Sequence, residues 1–106
     1  MVLFSQNFKF LIGDTMGPAG QLIQRGWTQH THARDSNGAQ VNATDPTAVC
    51  WCIYGALHKI YPNALEYCLA HNKIEDVIDT PLLAVWNDAP HRTHEQVIEV
   101  FRKAAI

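Results

Sequence analysis

The sequence predicts a mainly α domain: about five short helices packed around a central apolar helix (46–60), with one small β-hairpin at about 31–41. Three observations carry this. Residues 45–60, DPTAVCWCIYGALHKI, place Val49, Cys52, Ile53, Ala56 and Ile60 on one helical face, while Cys50, Trp51, Tyr54 and Leu57 cover much of the opposite side. A helix that is apolar nearly all round is covered on several sides. Near the C-terminus Thr93 and Gln96 form a T-x-x-Q capping box, which satisfies two free N–H groups at a helix start. Ser36-Asn37-Gly38 is a turn signal, because Asn and Gly both accept positive φ.

Taken in order, residues 3–12 fit two patterns. Phe8, Phe10 and Ile12 alternate as in a strand, whereas Phe4, Phe8, Leu11 and Ile12 form a helical stripe, and the balance leans to helix. Residues 13–17 read as a break. Residues 18–25 predict a short helix with Leu22 and Ile23 inward and Gly26 as its stop, after which Trp27 folds back on the core. The hairpin pairs roughly 31–34 with 39–41, and two strands alone must lie against the helices to persist. In the central helix Asp45 is the expected cap, and Pro46 suits the first turn, where no N–H is needed.

Tyr61-Pro62-Asn63 then breaks the chain. Residues 64–71 predict a helix with Leu65, Cys68 and Leu69 inward, ended by Asn72 and Lys73, and residues 74–78 a short turn or helix. Thr80-Pro81 repeats the cap-plus-proline start for a short apolar helix over 82–86, stopped by residues 87–90. The last helix buries Val97, Ile98, Phe101, Ala104 and Ala105, with Glu99 and Lys103 as an i,i+4 pair on its wet side.

A chain of 106 residues suits one domain, 1–106. With 47% hydrophobic and 17% charged residues it can fill a core, unlike a disordered chain. A net charge of -2 argues against a strongly basic nucleic-acid binder. The cysteines number three, and Cys50 and Cys52 point to different faces of the expected helix, so reduced thiols are expected rather than a disulfide framework. The N-terminus lacks a charged n-region and a clean apolar run, and no stretch approaches the roughly 18 apolar residues of a membrane span. A cytoplasmic location, without membrane contact, is the expectation.

Three segments, read together, carry a resemblance. They are Arg25-Gly26-Trp27-Thr28-Gln29 followed by Ala33-Arg34-Asp35, Gly38 and Val41; Asp45-Pro46, Ala48, Trp51-Cys52 and Gly55-Ala56-Leu57; and Trp86-Asn87-Asp88 with Arg92-Thr93. Their order and spacing resemble the domain-of-unknown-function family numbered 6197, small proteins of bacteria and phages. The resemblance runs from about Arg25 to the C-terminus. It implies a compact, mainly helical domain and a phage or mobile-element origin, and it carries no established activity.

His30-x-His32 and His91-x-x-His94 would each share a face, and four imidazoles brought together could hold zinc. Scattered turn residues account for them better, since no C-x-x-C or H-E-x-x-H spacing accompanies them. Cys50 and Cys52 lie in the most apolar stretch, where free cysteine is usually a small core hydrophobe rather than a nucleophile. Asn87 and Asp88 read first as turn-fixing residues, with Arg92 pairing with Asp88 or Asp35. Arg25, Trp27, His30, His32 and Arg34 interleave cations with an aromatic, as a single-strand nucleic-acid platform would.

The function this favours is a non-enzymatic binding protein, phage- or mobile-element-encoded, that modulates a host process by contact with a host protein. Inhibition of a bacterial defence system such as a CRISPR effector is one example. Its expected binding residues are Arg34, Asp35, Asp88, His91 and Arg92, the polar groups that helix patterning leaves over, with no cofactor. The alternatives are a small metal- or nucleotide-handling enzyme using His30, His32, His91 and His94 with Asp88 and Arg92, or a single-stranded nucleic-acid binder through residues 25–34.

Overall fold

The fold is mainly α, as the periodicity predicts. A computed structural model describes residues 16–106. Over them the chain runs α1 (Pro18–Arg25), β1 (Ala33–Arg34), β2 (Gln40–Val41), β3 (Cys50–Trp51), α2 (Ile53–Ile60), α3 (Ala64–Ile78), α4 (Leu83–Asn87) and α5 (His94–Ala104). The ambiguous segment 3–12 lies outside the described residues.

Every helix and β3 contribute to one core. Ile23 of α1, Trp51 of β3, Ile53 and Leu57 of α2, Ile74 of α3, Leu83 of α4, and Val97 and Phe101 of α5 are fully buried in it. Burying such side chains contributes on the order of 1.5–3 kcal/mol each. The start of α1 and the last residue are tied together. Ile106 O accepts from the N–H groups of Ala19 and Gly20 at 3.0 and 3.1 Å, so the C-terminus satisfies free donors at the start of α1.

The central segment keeps its place in the core but not its predicted form. The helix expected over 46–60 begins only at Ile53, and Cys50–Trp51 is a strand. Asp45 caps a turn instead of a helix, its Oδ1 accepting from Thr47 N at 2.8 Å and Thr47 Oγ1 at 2.6 Å. Downstream, the open edge of β1 takes up the chain, pairing Ala33 with Trp51 and Arg34 with Cys50. The all-round apolar character therefore belongs to a strand run directly into a helix. The junction is Cys52, whose Sγ caps α2 by accepting from Gly55 N at 3.3 Å.

The hairpin forms as expected, in the register Ala33 to Val41 and Arg34 to Gln40, and β3 extends it to an antiparallel sheet ordered β2-β1-β3. Beyond β3, Thr28 N donates to Trp51 O and Trp51 N to Gly26 O, both at 3.1 Å, so the exit of α1 bridges onto β3. Two glycines permit this close packing. A Cβ at Gly26 would stand 2.3 Å from Val49 O, and one at Gly55 would stand 2.0 Å from His32 O.

Helix α3 corrects two further expectations. It runs unbroken through Asn72 and Lys73, neither of which breaks a helix as Gly or Pro would, and stops where Asp79 takes a left-handed conformation (φ 59). Its inward stripe is Ala70 and Ile74 with half-buried Tyr67, Val77 and Ile78, which turns Leu65, Cys68 and Leu69 outward. The capping box of Thr93 and Gln96 stands as predicted. Along α5 Val100 is buried, Ile98 is half-buried and Ala105 is exposed, and Glu99 pairs with Arg102.

Candidate functional site

The motif residues meet at one junction. Asn87, the last residue of α4, is 1% exposed and is the one buried polar side chain among the described residues. Its Oδ1 accepts from Trp27 Nε1 at 2.9 Å and from Ile53 N at 3.1 Å, and its Nδ2 donates to Thr28 O at 3.2 Å and Asp88 Oδ1 at 2.8 Å. All four amide hydrogen-bonding positions are thus engaged, as a buried amide requires. Gln29 completes the join by donating from Nε2 to Asn87 O and Ala89 O, both at 3.0 Å.

The expected binding residues mostly serve this frame. Arg34 donates from Nε to Thr28 Oγ1 at 2.9 Å, from Nη2 to Gln29 O at 3.2 Å and from Nη1 to Gly38 O at 3.1 Å, which fastens the 28–30 loop to the hairpin. Asp35 closes the hairpin turn by accepting from Asn37 N and Ala39 N, both at 2.9 Å. Arg92 pairs with neither Asp88 nor Asp35. Its Nε donates to Trp86 O at 2.8 Å and its guanidinium lies 3.6 Å from the Trp86 ring centre. The cation–π contact and the free carbonyl at the end of α4 outcompete a carboxylate partner. His91 is exposed.

The four histidines do not converge. His94 Nε2 lies 2.6 Å from Ile23 O and its ring stacks on Trp27 at 6.0 Å, so it packs against α1. Among the described residues no three His, Cys, Asp or Glu side chains are grouped to hold a metal ion. Within the 25–34 segment Trp27 is half-buried, its Nε1 donating to Asn87 Oδ1 and its ring stacked on His94.

Asp88 and His30 are the exceptions. His30 has φ 69, a conformation uncommon for a non-glycine residue. Asp88 Oδ1 holds it there by accepting its backbone N–H at 2.9 Å, and Oδ2 lies 3.8 Å from its Nδ1. The imidazole itself is 67% exposed. It stands at a cleft of about 180 Å³ lined by His30, His32, Cys52, Tyr54, Asn87 and Asp88. Burial pushes the Cys52 thiol up, against the opposing effect of the Gly55 N–H, so the sulfur facing this cleft is a thiol rather than a thiolate.

One feature of the cleft wall was beyond sequence reasoning. His71 Nδ1 is 2.8 Å from Glu75 Oε1 and its Nε2 is 3.3 Å from the Tyr54 hydroxyl. The carboxylate places the imidazole proton on Nδ1, which leaves Nε2 to accept from the phenol. Burial pushes the Tyr54 phenol up. A second contact chain runs from His32 to His58 at 5.1 Å and on to Tyr67 at 4.8 Å, ring centre to ring centre. The sequence reading ends the helix between His71 and Glu75, so their i,i+4 pairing emerges only from the unbroken α3. Nothing in the sequence brought Tyr54 to them, nor Asn87 to Trp27, because each link joins residues far apart in the chain.

Residues 14–106 match a family of unknown function, DUF6197, and the chain belongs to it. No curated protein and no solved structure matches the chain.

Proposed function

We propose that this DUF6197 member is a non-enzymatic binding protein that modulates a host process through protein–protein contact. In this reading it is encoded by a phage or mobile element and acts in the host cytoplasm on a target such as a bacterial defence complex, a CRISPR effector being one example. The observation that carries the binding reading is His30. A strained residue, locked by Asp88 and built on a frame of buried hydrogen bonds, presents an exposed imidazole beside a small cleft. Recognition residues favour loops held by a rigid scaffold, and strain of this kind concentrates at such positions. The groups that would perform chemistry are otherwise occupied: the Cys52 thiol caps a helix, and Arg34 and Arg92 bind backbone carbonyls. In this reading Asp88 and its neighbours His30 and His32 form the contact, while Arg34, Asp35 and Arg92 are engaged in hydrogen bonds within the fold and His91 lies outside the cleft.

The test is capture from host lysate on the tagged chain, compared with His30→Ala and with Ala84→Arg, which fills the cleft from its exposed rim. Loss of the same captured protein from both variants, with thermal unfolding unchanged, supports the reading. Capture indifferent to both variants overturns it. A second reading, a small acid–base enzyme, draws on the Glu75–His71–Tyr54 chain. It requires Tyr54→Phe to abolish biological activity while partner capture persists.

A further inference from the structure

Sequence patterning gives Lys103 a partner in Glu99, one turn away, and Arg92 one in Asp88 or Asp35. Neither pairing forms. Glu99 is taken by Arg102, and among the described residues neither Lys103 nor Arg92 makes an ion pair with a carboxylate. Both cations border one cleft of about 360 Å³, where the end of α3, α4 and α5 meet. Its apolar lining is Val77, Ile78, Trp86 and Val100, all buried or half-buried.

The guanidinium of Arg92 is already fixed in place. Its Nε donates to Trp86 O, the Trp86 ring takes one of its faces, and Nη1 makes only a long contact, 3.4 Å, with Gln96 Oε1. The edge between Nη1 and Nη2 thus keeps the planar fork that receives a carboxylate. A cation held by its own fold loses little freedom when it binds. Lys103 adds a second cation on a long stem. Glu99 borders the same cleft, so the lining carries a single net positive charge, the complement of a monoanion. The volume is that of a small organic ligand, and sites for such ligands combine an apolar lining with a few charged groups.

We infer that this cleft binds a small organic carboxylate, with the anionic group on Arg92 and Lys103 and an aromatic or aliphatic body against Val77, Ile78 and Trp86. The site is separate from the His30 cleft. Ala84 borders that one and Trp86 this one, two residues apart and so on opposite sides of α4. The inference therefore does not rest on the protein-contact reading above.

The probe is 4-phenylbutyrate, titrated into the isotope-labelled full chain and followed by backbone amide shifts, with neutral 4-phenylbutanol as the control. The expected result is a saturable set of shifts confined to the surroundings of Val77, Trp86 and Lys103, with several-fold weaker binding of the alcohol. Added salt should weaken the carboxylate and leave the alcohol unchanged. Lys103→Gln should lower the affinity for phenylbutyrate several-fold, and Lys103→Arg should retain it. Lys103 is exposed and outside any ion pair among the described residues, so both variants should keep the parental melting temperature, which a circular dichroism melt checks. Equal binding of the alcohol overturns the proposal, as do shifts that are absent or scattered and an affinity indifferent to Lys103→Gln. Shifts at these residues that follow protein concentration rather than phenylbutyrate would make a second copy the occupant, and overturn it equally.

Discussion

Replacing Asn87 by alanine should be among the most damaging single changes in this chain. The amide satisfies Trp27 Nε1, Ile53 N and Thr28 O together, and its removal leaves all three without their partner. The Ile53 N–H is buried at the first turn of α2, and water reaches it poorly. An orphaned buried group costs about 1–3 kcal/mol, and Trp27 and Thr28, which are half-buried, recover part of theirs from solvent. The sum, with the lost side-chain volume, is about 3–5 kcal/mol. Denaturant unfolding followed by tryptophan fluorescence measures it, because Trp27 and Trp51 both report on this junction. Asn87→Asp sharpens the test. It keeps an acceptor for the two N–H donors but loses the donors to Thr28 O and to Asp88, and it sets a second carboxylate beside the first. It should therefore be destabilised at neutral pH and recover partly on mild acidification. An Asn87→Ala midpoint within error of the parent would refute the claim that this amide joins α4 to the 27–30 segment.

Gly55→Ala should destabilise by about 1–3 kcal/mol despite alanine's better helix propensity, since its Cβ would stand 2.0 Å from His32 O; a raised melting temperature would contradict this. Arg92→Ala should cost about 1–2 kcal/mol through the Trp86 stack and the carbonyl bond, with lysine restoring only part. Because Arg92 makes no pair with Asp88, the costs of Arg92→Ala and Asp88→Ala should add, and a coupling energy above about 1 kcal/mol would speak against the geometry. His58 is held below its ordinary 6.5, first by burial and then by His32, so the unfolded chain binds the proton more readily. That contribution is intact above pH 6.5 and is lost as pH falls through the lowered folded value, so melting temperature should drop on acidification and His58→Gln should flatten the slope. Among the thiols, exposed Cys68 should label fast in the native protein and buried Cys52 slowly; fast labelling that survives the Cys50→Ser, Cys68→Ser double substitution would show the α2 cap to be open.

Sequence signals match the structure where a local interaction decides it. The Thr93 capping box, the Asn37-Gly38 turn and the α1 stripe each depend on residues within a few positions, and each stands. The central segment and α3 differ from the sequence expectation where a distant element decides. Residues 50–51 became a strand because β1, sixteen residues earlier, offered an open edge. The inward face of α3 was assigned from Leu65 and Leu69, the larger apolar residues, but Ala70, Ile74 and Ile78 meet the rest of the core, and a helix buries the face its neighbours reach. For the site, residue type singles out polar side chains but does not give their partners. Arg34, Asp88 and Arg92 stand out by charge, whereas Asn87, read as a turn residue, and Gln29 join two segments that lie some sixty positions apart, a link no local pattern encodes.

This division bears on how function should be sought. Trp27 and Gln29, Trp51 and Gly55, and Asn87 and Arg92 come from three separate stretches and meet within one hydrogen-bonded and packed junction. Their types are explained by assembling that junction: an indole donor for a buried amide, a glycine for a backbone approach, a guanidinium for a helix-end carbonyl. Losing any of them should remove activity by loosening the frame, so activity assays on these variants report folding first. His30, His32 and Ala84 differ, because their side chains are exposed and border the cleft, and replacing them removes little from the core. A variant there that keeps the parental melting temperature but loses its partner separates recognition from stability, which substitutions of the junction residues cannot do.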